Sequence, residues 1–259
     1  MHRSSRKTAP TPVAIPIPMV MAMLTAMITN LAITTMNIDQ LQLLQLLQLT
    51  SPSLPIGGFS WSQGTETAIE QGWLQGEADY ARWLEGIIGS AFVNQEWPLL
   101  RKLQQAWQMQ DLEQVRYWNQ YALALRETKE LHLEDTQMGA ALLRLMRDLD
   151  YARAALWSEP GTSYLTAFAM AATEKKIPLD AAAIGLAWSW LENQIAAALK
   201  TFPMGQTAGQ RIFHHIAPLL PDLLQQSMTV QDEDIGCSLP GVVLASMQHE
   251  RQYSRLFRS

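Results

Sequence analysis

Leucine and alanine dominate this sequence to a degree that leaves little room for a β-sheet. The chain of 259 residues contains 36 Leu and 31 Ala but only 7 Val. Leucine and alanine are among the best helix formers, whereas β-branched residues are the ones that favour strands. After residue 37, no stretch alternates apolar and polar residues between hairpin-type dipeptides, which would be typical of paired strands. The sequence therefore predicts an all-α fold.

The helical spacing of apolar residues divides the chain into about ten helices. The first begins after a capping Asp39, carries Leu43, Leu44 and Leu47 on one face and ends before Pro52. Further helices are predicted at about 60–71, 77–95, 98 onward, 111 onward, 133–149, 163–175, 180–200, 207–216 and 221–228. The connections are short and no period of 34 or 40 residues recurs, so we expect one compact bundle at 37–259 with a flexible C-terminal tail.

Residues 1–36 have a different composition from the rest of the chain. They carry three basic residues and no acidic one, then a proline-rich stretch and an uncharged segment from 19 to 37. Three interpretations are open: a misassigned start with translation beginning at Met36, a disordered extension, or a targeting segment. The more apolar part, residues 19–28, is too short to span a bilayer.

The charge balance argues against two classes of partner. Residues 37–259 contain 16 basic against 24 acidic residues. Nucleic acids and anionic membranes both attract proteins through a basic surface, so neither is expected to bind this chain. The single cysteine, Cys237, excludes an internal disulfide and any CxxC motif.

A search for catalytic and metal-binding motifs yields none with the required spacing. No histidine has a histidine four residues away, and the adjacent His214 and His215 point about 100° apart on a helix. The stretch 205–211 resembles a phosphate loop but is too short and lacks the Lys-Ser/Thr ending. Cys237 has no histidine nearby in the sequence. We therefore expect no catalytic site, no resident metal and no cofactor.

Three local patterns go beyond what helix packing requires. The segment 51–64 combines two prolines with glycines and aromatic residues, which is typical either of a helix connector or of a close approach by another chain. The charged run 126–130 indicates a solvated face. The last nine residues, 251–259, contain three arginines and two aromatic residues, types that are enriched at interface hot spots. We expect this tail to be mobile when free and to dock on a partner.

Together these patterns resemble the urease accessory protein family UreF. The resemblance covers about residues 40–259, and its motifs are Leu54-Pro-Ile-Gly57, Phe59-Ser-Trp-Ser-Gln-Gly64, Glu66, Arg126-Glu-Thr128, Gln137-Met-Gly139, Trp188 to Lys200, Pro203-Met-Gly-Gln206, Gly209-Gln-Arg211 and His249 to Ser259. Gly58 stands where the family often has alanine, and Trp61 where tyrosine is common.

The resemblance implies a cytoplasmic, all-α homodimer without catalytic activity. Such proteins bind the accessory protein UreD, also called UreH, and the GTPase UreG. The assembly docks on apo-urease and supports GTP-dependent delivery of nickel to the urease active site. A scaffold or chaperone role of this kind is the function that we expect here.

The resemblance also implies site residues, all of them for partner binding. It assigns the tail to UreD through Tyr253, Ser254, Arg255, Leu256, Phe257 and Arg258. It assigns the turn to the dimer or partner surface through Leu54, Pro55, Gly57, Phe59, Ser60, Trp61, Gln63, Gly64 and Glu66. Residues that could face the GTPase are Arg126, Glu127, Lys129, Lys200, Gln206 and Arg211.

One alternative function belongs to a different class. A nickel carrier would bind metal at a dimer interface, where two copies together supply enough ligands. The candidate ligands are His214, His215, His249 and Cys237.

Overall fold

The computed structural model describes residues 38–259, and the predictions made for residues 1–36 lie outside this range. The described residues form twelve α-helices and no β-strand, so the predicted all-α class is confirmed. The helices are α1 Gln40–Leu49, α2 Thr65–Glu70, α3 Glu77–Ile87, α4 Trp97–Met109, α5 Leu112–Ala124, α6 Lys129–Asp148, α7 Ala152–Leu156, α8 Tyr164–Glu174, α9 Leu179–Thr201, α10 Gln206–Ile216, α11 Leu220–Ser227 and α12 Pro240–His249. None of these described helices is both long enough and apolar enough to cross a bilayer.

Side-chain caps explain where several helices begin. Asp39 accepts a hydrogen bond from the backbone N–H of Gln42, whose side chain accepts the N–H of Asp39 in return. Asp111, Thr128 and Ser163 cap α5, α6 and α8 through the backbone N–H three residues later. Such a cap satisfies an N–H group that has no partner within the helix.

The predicted third and fourth helices are one continuous run, from Glu77 to Met109. Between α3 and α4 the backbone winds as a π-helix from Ile88 to Glu96. Pro98 lies in the first turn of α4, as expected. No loop separates α3 from α4, however, because the π-helix connects them directly. π-helical turns are rare, and periodicity at 3.6 residues does not distinguish them from an α-helix.

Two further differences arise at turns. The helix predicted from residue 60 begins at Thr65, because Gln63 and Gly64 both have positive φ angles, which a helix does not accept. Helices α7 and α12 were not predicted. α12 starts at Pro240, because proline is well tolerated in a first helical turn.

The core is built around α8, which is buried along almost its whole length. α4 and α6 pack against it, and the largest buried side chains in this region are Trp97, Trp107, Trp157 and Phe168. Each indole N–H has a hydrogen-bond acceptor, namely the carbonyl of Ala183, the carbonyl of Thr166 and the hydroxyl of Thr162 respectively. Burial of these large rings therefore leaves no indole donor unpaired.

The first helix presents its leucines differently from the expectation. Leu46 and Leu49 are the buried leucines of α1, and Leu46 packs against Gly185 of α9. The predicted face of Leu43, Leu44 and Leu47 is exposed. Six leucines surround this short helix, so the pattern alone does not determine which of them face the core.

Candidate partner-binding site

The C-terminal tail, residues 250–259, folds back onto the body of the protein. The backbone N–H of Arg258 donates to the carbonyl of Ser60 at 2.8 Å. The carbonyl of Ser259 accepts the backbone N–H of Ser62 at 2.7 Å and also its hydroxyl group. Main-chain bonds of this kind do not depend on the tail's side chains, so they anchor its last residues to the turn at 58–64.

Glu66, in the first turn of α2, binds the tail just before Arg258 and Ser259. Its carboxylate accepts the backbone N–H groups of Leu256 at 2.7 Å and of Phe257 at 3.0 Å. The carboxylate is buried, and hydrogen bonds to a charged acceptor are stronger than those between neutral groups. The two bonds fix the direction in which the chain crosses α2.

His249, the last residue of α12, lies fully buried between two carboxylates. Its Nε2 is 3.2 Å from Glu66 and its Nδ1 is 2.8 Å from Glu130. Glu130 also receives the guanidinium of Arg255 at 2.9 Å. Buried charges are tolerated when they are paired in this way. We call Glu66, Glu130, His249 and Arg255 the tail clamp.

The turn at 54–66 provides the surface beneath the tail. Trp61 is buried, and the guanidinium of Arg258 lies 5.7 Å from its ring centroid. Gly64 has a φ angle of 80°, and a Cβ there would lie 2.8 Å from the backbone nitrogen of Ser246 in α12. A glycine is therefore required where the turn meets α12.

The predicted partner-binding residues divide into two groups. Several are internal: Trp61, Gly64, Glu66 and Phe257 are buried and hold the tail in place. The exposed residues are Pro55, Phe59, Tyr253, Ser254, Arg255, Leu256 and Arg258, while Leu54, Gly57, Ser60 and Gln63 are half-buried. α12 adds two exposed apolar side chains, Leu244 and Met247. We call the exposed group, with Leu244 and Met247, the tail surface.

A chain of partly buried polar side chains leads from the turn to the buried Glu134. The indole of Trp190 donates to the side-chain oxygen of Gln63 at 2.8 Å, and Gln63 donates to Glu134 at 2.8 Å. Burial raises the pKa of Glu134 to about 8, although its bonds with Gln63 and Ser259 oppose this shift. At neutral pH this carboxyl group is therefore mostly protonated. Its second oxygen has no hydrogen-bond partner among residues 38–259.

Glu134 lines a partly open cavity of about 160 Å³ between α3, the π-helix, α6 and α9. Arg126 also lines it and pairs with Glu96 at 2.5 Å and with Asp135 at 3.3 Å. Burial raises the pKa of Asp135, and Arg126 reduces that shift. Burial would also raise the pKa of Glu96, but Arg126 holds it below its ordinary value. Arg126 thus neutralises these two acids, and only 17% of its side chain is exposed.

The other residues considered for the GTPase lie in two places. Glu127 and Lys129 are exposed at the connection between α5 and α6. Lys200, Gln206 and Arg211 are exposed on α9 and α10. Lys200 lies 5.6 Å from the ring of Phe257, which joins this end of α9 to the tail, and Arg211 forms an ion pair with Glu77.

Glu130 and Glu134 were not identified from the sequence. Glu130 belongs to the charged run 126–130, which is typical of a solvated face, and Glu134 lies beyond that run. In the structure Arg126, Thr128 and Glu130 point inward, while Glu127 and Lys129 are exposed. A signal was available. Residues 130, 134, 138 and 142 recur at intervals of four, so both carboxylates continue the face of α6 that carries Met138 and Leu142.

The candidate metal ligands are far from forming one cluster. His214 and His215 are exposed at the end of α10, where His215 pairs with Glu85 at 3.1 Å. His249 belongs to the tail clamp, and burial raises the pKa of Cys237 at the edge of the cavity. Within residues 38–259, no group of three or more His, Cys, Asp or Glu side chains is arranged to hold a metal ion.

Known proteins resemble this chain over most of its length. A family model described as UreF matches residues 74–217. A urease accessory protein UreF from Psychrobacter cryohalolentis is 46% identical over 228 residues, which cover 86% of this chain and 96% of the relative. The protein of the same name from Marinobacter nauticus is 47% identical over 221 residues, covering 85% and 95% respectively. The chain therefore belongs to the UreF family of urease accessory proteins.

Proposed function

We propose that this chain is a non-catalytic scaffold that, with UreD and the GTPase UreG, supports GTP-dependent insertion of nickel into apo-urease. In this role it acts in the cytoplasm as a homodimer and docks with its partners on apo-urease. Membership of the family supports the general role in urease maturation. The specific partners are proposed from the resemblance and from the tail surface.

The observation that carries the proposal is how the tail is held. Main-chain bonds and the buried ring of Phe257 anchor it, while Tyr253 and Leu256 are left exposed, as is Phe59 of the turn. Aromatic and arginine side chains presented on a fixed backbone are the usual composition of interface hot spots. A tail ordered before binding also avoids part of the entropy cost of association. We assign this surface to UreD.

Co-purification from cells carrying the urease operon tests the assignment. Deleting residues 250–259 should abolish capture of UreD while the helical body stays folded, as judged by circular dichroism. The double substitution Tyr253→Ala and Leu256→Ala should weaken capture, whereas Leu156→Ala, at an exposed leucine of α7, should not. Full capture of UreD by the deletion variant would show that the tail is not the docking element.

A regulatory role towards the GTPase is the finer part of the proposal. Lys200 and Arg211 are exposed basic groups, and basic groups supplied by one protein can stabilise a transferring phosphoryl group on another. The ion pair of Arg211 with Glu77 is on the surface, where water and salt screen it, so it leaves Arg211 available to a partner. Unchanged GTP turnover in the reconstituted complex after Arg211→Ala and Lys200→Ala would exclude both residues from this role.

A nickel carrier is the second candidate. The exposure of His214 and His215 supports it, because their rings remain accessible to a ligand shared with another copy. Equilibrium dialysis of the isolated protein against Ni²⁺ distinguishes the two functions. Stoichiometric binding below micromolar concentration, lost in His214→Ala with His215→Ala, would favour the carrier, and no binding in that range would favour the scaffold.

A further inference from the structure

The cavity between α3, the π-helix, α6 and α9 collects buried polar atoms that lack a hydrogen bond. Six buried side-chain atoms have no partner within residues 38–259, and three of them belong to residues that line this cavity: Arg126 Nε, Glu134 Oε2 and Asp135 Oδ2. Glu134 and Asp135 are 7% and 6% exposed. Burying a polar group without a partner costs free energy, so this cluster indicates a site that another molecule completes.

The charged groups of the cavity wall are mostly acidic. The wall contains one base, Arg126, and four acids, namely Glu96, Glu127, Glu134 and Asp135. Arg126 pairs with both Glu96 and Asp135, so one positive charge is shared between two acids. Even without Glu134, three acids therefore line the cavity with a single base. The charge of this site is complementary to a cation.

The groups around Glu134 do not supply the missing positive charge. Arg126 and the side chain of Gln63 both favour its ionised form, but burial still raises its pKa to about 8. A cation bound beside the second oxygen of Glu134 would favour the ionised form further. Binding of a cation should therefore be coupled to release of the proton that Glu134 holds at neutral pH.

The rest of the wall is apolar and aromatic. The rings of Phe92 and Trp190 meet edge to face with their centroids 5.2 Å apart, and Met138 and Leu186 also line the cavity. Indole rings attract cations to their faces. The volume of about 160 Å³ is close to that of an apolar cavity of about 150 Å³ that holds benzene. The cavity thus suits a ligand with a cationic end and an apolar body about as large as benzene.

A bare metal ion suits the cavity less well. Within residues 38–259, no three or more His, Cys, Asp or Glu side chains are arranged to hold one. Glu96 is already engaged, because it accepts hydrogen bonds from Arg126 and from Gln95. An amidinium or ammonium group, in contrast, carries its own N–H donors and can be held by one or two carboxylates.

We propose that this cavity binds a small organic cation, either an amidinium or a protonated amine with an apolar body. The N–H groups of the cation donate to the free oxygens of Glu134 and Asp135. The apolar body lies beside the rings of Phe92 and Trp190. This ligand site goes beyond the scaffold role and does not depend on it, since capture of UreD is measured separately.

Isothermal titration calorimetry of the full chain with benzamidinium tests the proposal. Benzamidinium carries a planar cationic group on a benzene ring, and benzamide has nearly the same shape without the charge. We expect one benzamidinium to bind per chain with a dissociation constant of about 1 mM or lower. Benzamide should bind at least about tenfold more weakly, because its hydrogen bonds are not charge-assisted. Equal affinity for the two compounds, or no binding of benzamidinium in this range, would overturn the proposal.

The pH dependence of binding distinguishes a contact with Glu134 from an indirect effect on the fold. At pH 7, where Glu134 is mostly protonated, Glu134→Gln should bind benzamidinium about as tightly as the unsubstituted protein does. At pH 9 the unsubstituted protein should bind it about tenfold more tightly than at pH 7, and Glu134→Gln should not gain this affinity. Glu113→Gln, exposed on α5, is the matched control and should keep the full pH dependence.

Other titratable or charged groups around Glu134 are the same in both proteins, so they cannot produce this difference. They are Glu96, Arg126, Glu127, Asp135, Tyr164, Cys237 and the C-terminal residue Ser259. Identical pH profiles for Glu134→Gln and the unsubstituted protein would overturn the contact between Glu134 and the cation.

Nuclear magnetic resonance locates the bound compound. The indole N–H of Trp190 donates to Gln63 at 2.8 Å in the cavity wall, so its signal, assigned with Trp190→Phe, should shift when benzamidinium binds. The indole N–H of Trp107, which donates to the carbonyl of Thr166 in the core, should not shift. Binding that leaves the Trp190 signal unchanged would overturn the location. Displacement of benzamidinium by one equivalent of Ni²⁺ would show a metal site and overturn the organic cation as ligand.

Discussion

The carboxylate of Glu66 accepts the backbone N–H of Phe257 at 3.0 Å, which joins the start of α2 to the chain's C-terminal segment. The same carboxylate reaches Leu256 and His249. One acidic side chain thus holds the tail and the helix that precedes it. Several consequences can be measured.

Replacing Glu66 with glutamine should release the tail. The amide has the same shape but no charge, and its NH₂ group can only donate. One of the two backbone N–H groups that Glu66 accepts would then face another donor and lose its hydrogen bond. We expect amide hydrogen exchange at residues 255–259 to accelerate about 10- to 100-fold, as loss of a charge-assisted bond predicts. Glu70→Gln, exposed on the same helix, is the control. Equal protection in both variants would mean that the tail is held by other contacts.

Glycine at position 139 should be indispensable for packing α6 against the segment that enters α8. A Cβ there would lie 2.1 Å from the carbonyl oxygen of Thr162 and 2.7 Å from the backbone of Ser163. Gly139→Ala should therefore destabilise the fold by about 2–4 kcal/mol and lower Tm by roughly 5–15 °C.

Gly86→Ala is the matched control, because a Cβ at that helical position meets no atom of the described residues, 38–259, within 4 Å. This variant should be neutral or more stable by up to about 1 kcal/mol, as alanine is the better helix former. Differential scanning calorimetry measures both. A Tm for Gly139→Ala equal to that of the unsubstituted protein would contradict the close contact.

Stability should depend on pH through Glu134, whose pKa burial raises to about 8 from an ordinary value near 4.5. Between these values the folded state holds a proton that the unfolded state has lost, so this group's contribution falls as pH rises. Glu134→Gln removes the titration and keeps the acceptor for Gln63. From pH 5 to pH 8.5 the stability of the variant relative to the unsubstituted protein should rise by up to about 4 kcal/mol.

Thermal unfolding of both proteins at intervals from pH 5 to 9 gives this difference directly. All other titrating groups are the same in the two proteins, so their contributions to the pH dependence cancel in the difference. The same comparison with Glu113→Gln, exposed on α5, should be flat across the range. If the difference in stability between the unsubstituted protein and Glu134→Gln does not change with pH, Glu134 has an ordinary pKa in the folded protein.

Tyr253 should matter for binding and not for folding. Its side chain is fully exposed, so Tyr253→Ala removes no internal contact and should leave Tm within about 1 °C. If the tail surface binds UreD, the same substitution should weaken that affinity by about tenfold or more, the usual cost of truncating a central aromatic. Isothermal titration calorimetry with purified UreD measures it. Tyr117→Ala, an exposed tyrosine on α5, should retain full affinity.

Much of the fold follows from short-range chemistry. Asp39, Asp111 and Ser163 cap helices at the positions that the sequence indicated, since a cap needs only a side chain and an N–H three residues away. The π-helix at 88–96 was not foreseen. Its apolar residues satisfy an α-helical pattern equally well, and the choice between the two windings depends on the neighbouring helices.

The candidate site could be predicted only in outline. The tail and the turn at 54–66 were recognised as unusual segments, but their contact with each other was not, because 190 residues separate Glu66 from Leu256. Arg126, a candidate for facing the GTPase, is partly buried and pairs with Glu96 and Asp135. A charged residue's own neighbours in the sequence do not reveal which distant groups will surround it.

By itself, the sequence determined the helical class, most helix starts and the family, all of which depend on residue types and on spacings of a few positions. Tertiary structure alone decided which leucines of α1 face the core and which acids lie inside. The face of a helix that is buried depends on the shape and polarity of the groups that it packs against. Leu46 is buried because it packs against Gly185, and Glu66 and Glu130 are buried against His249. These contacts join distant parts of the chain, and no local pattern specifies them.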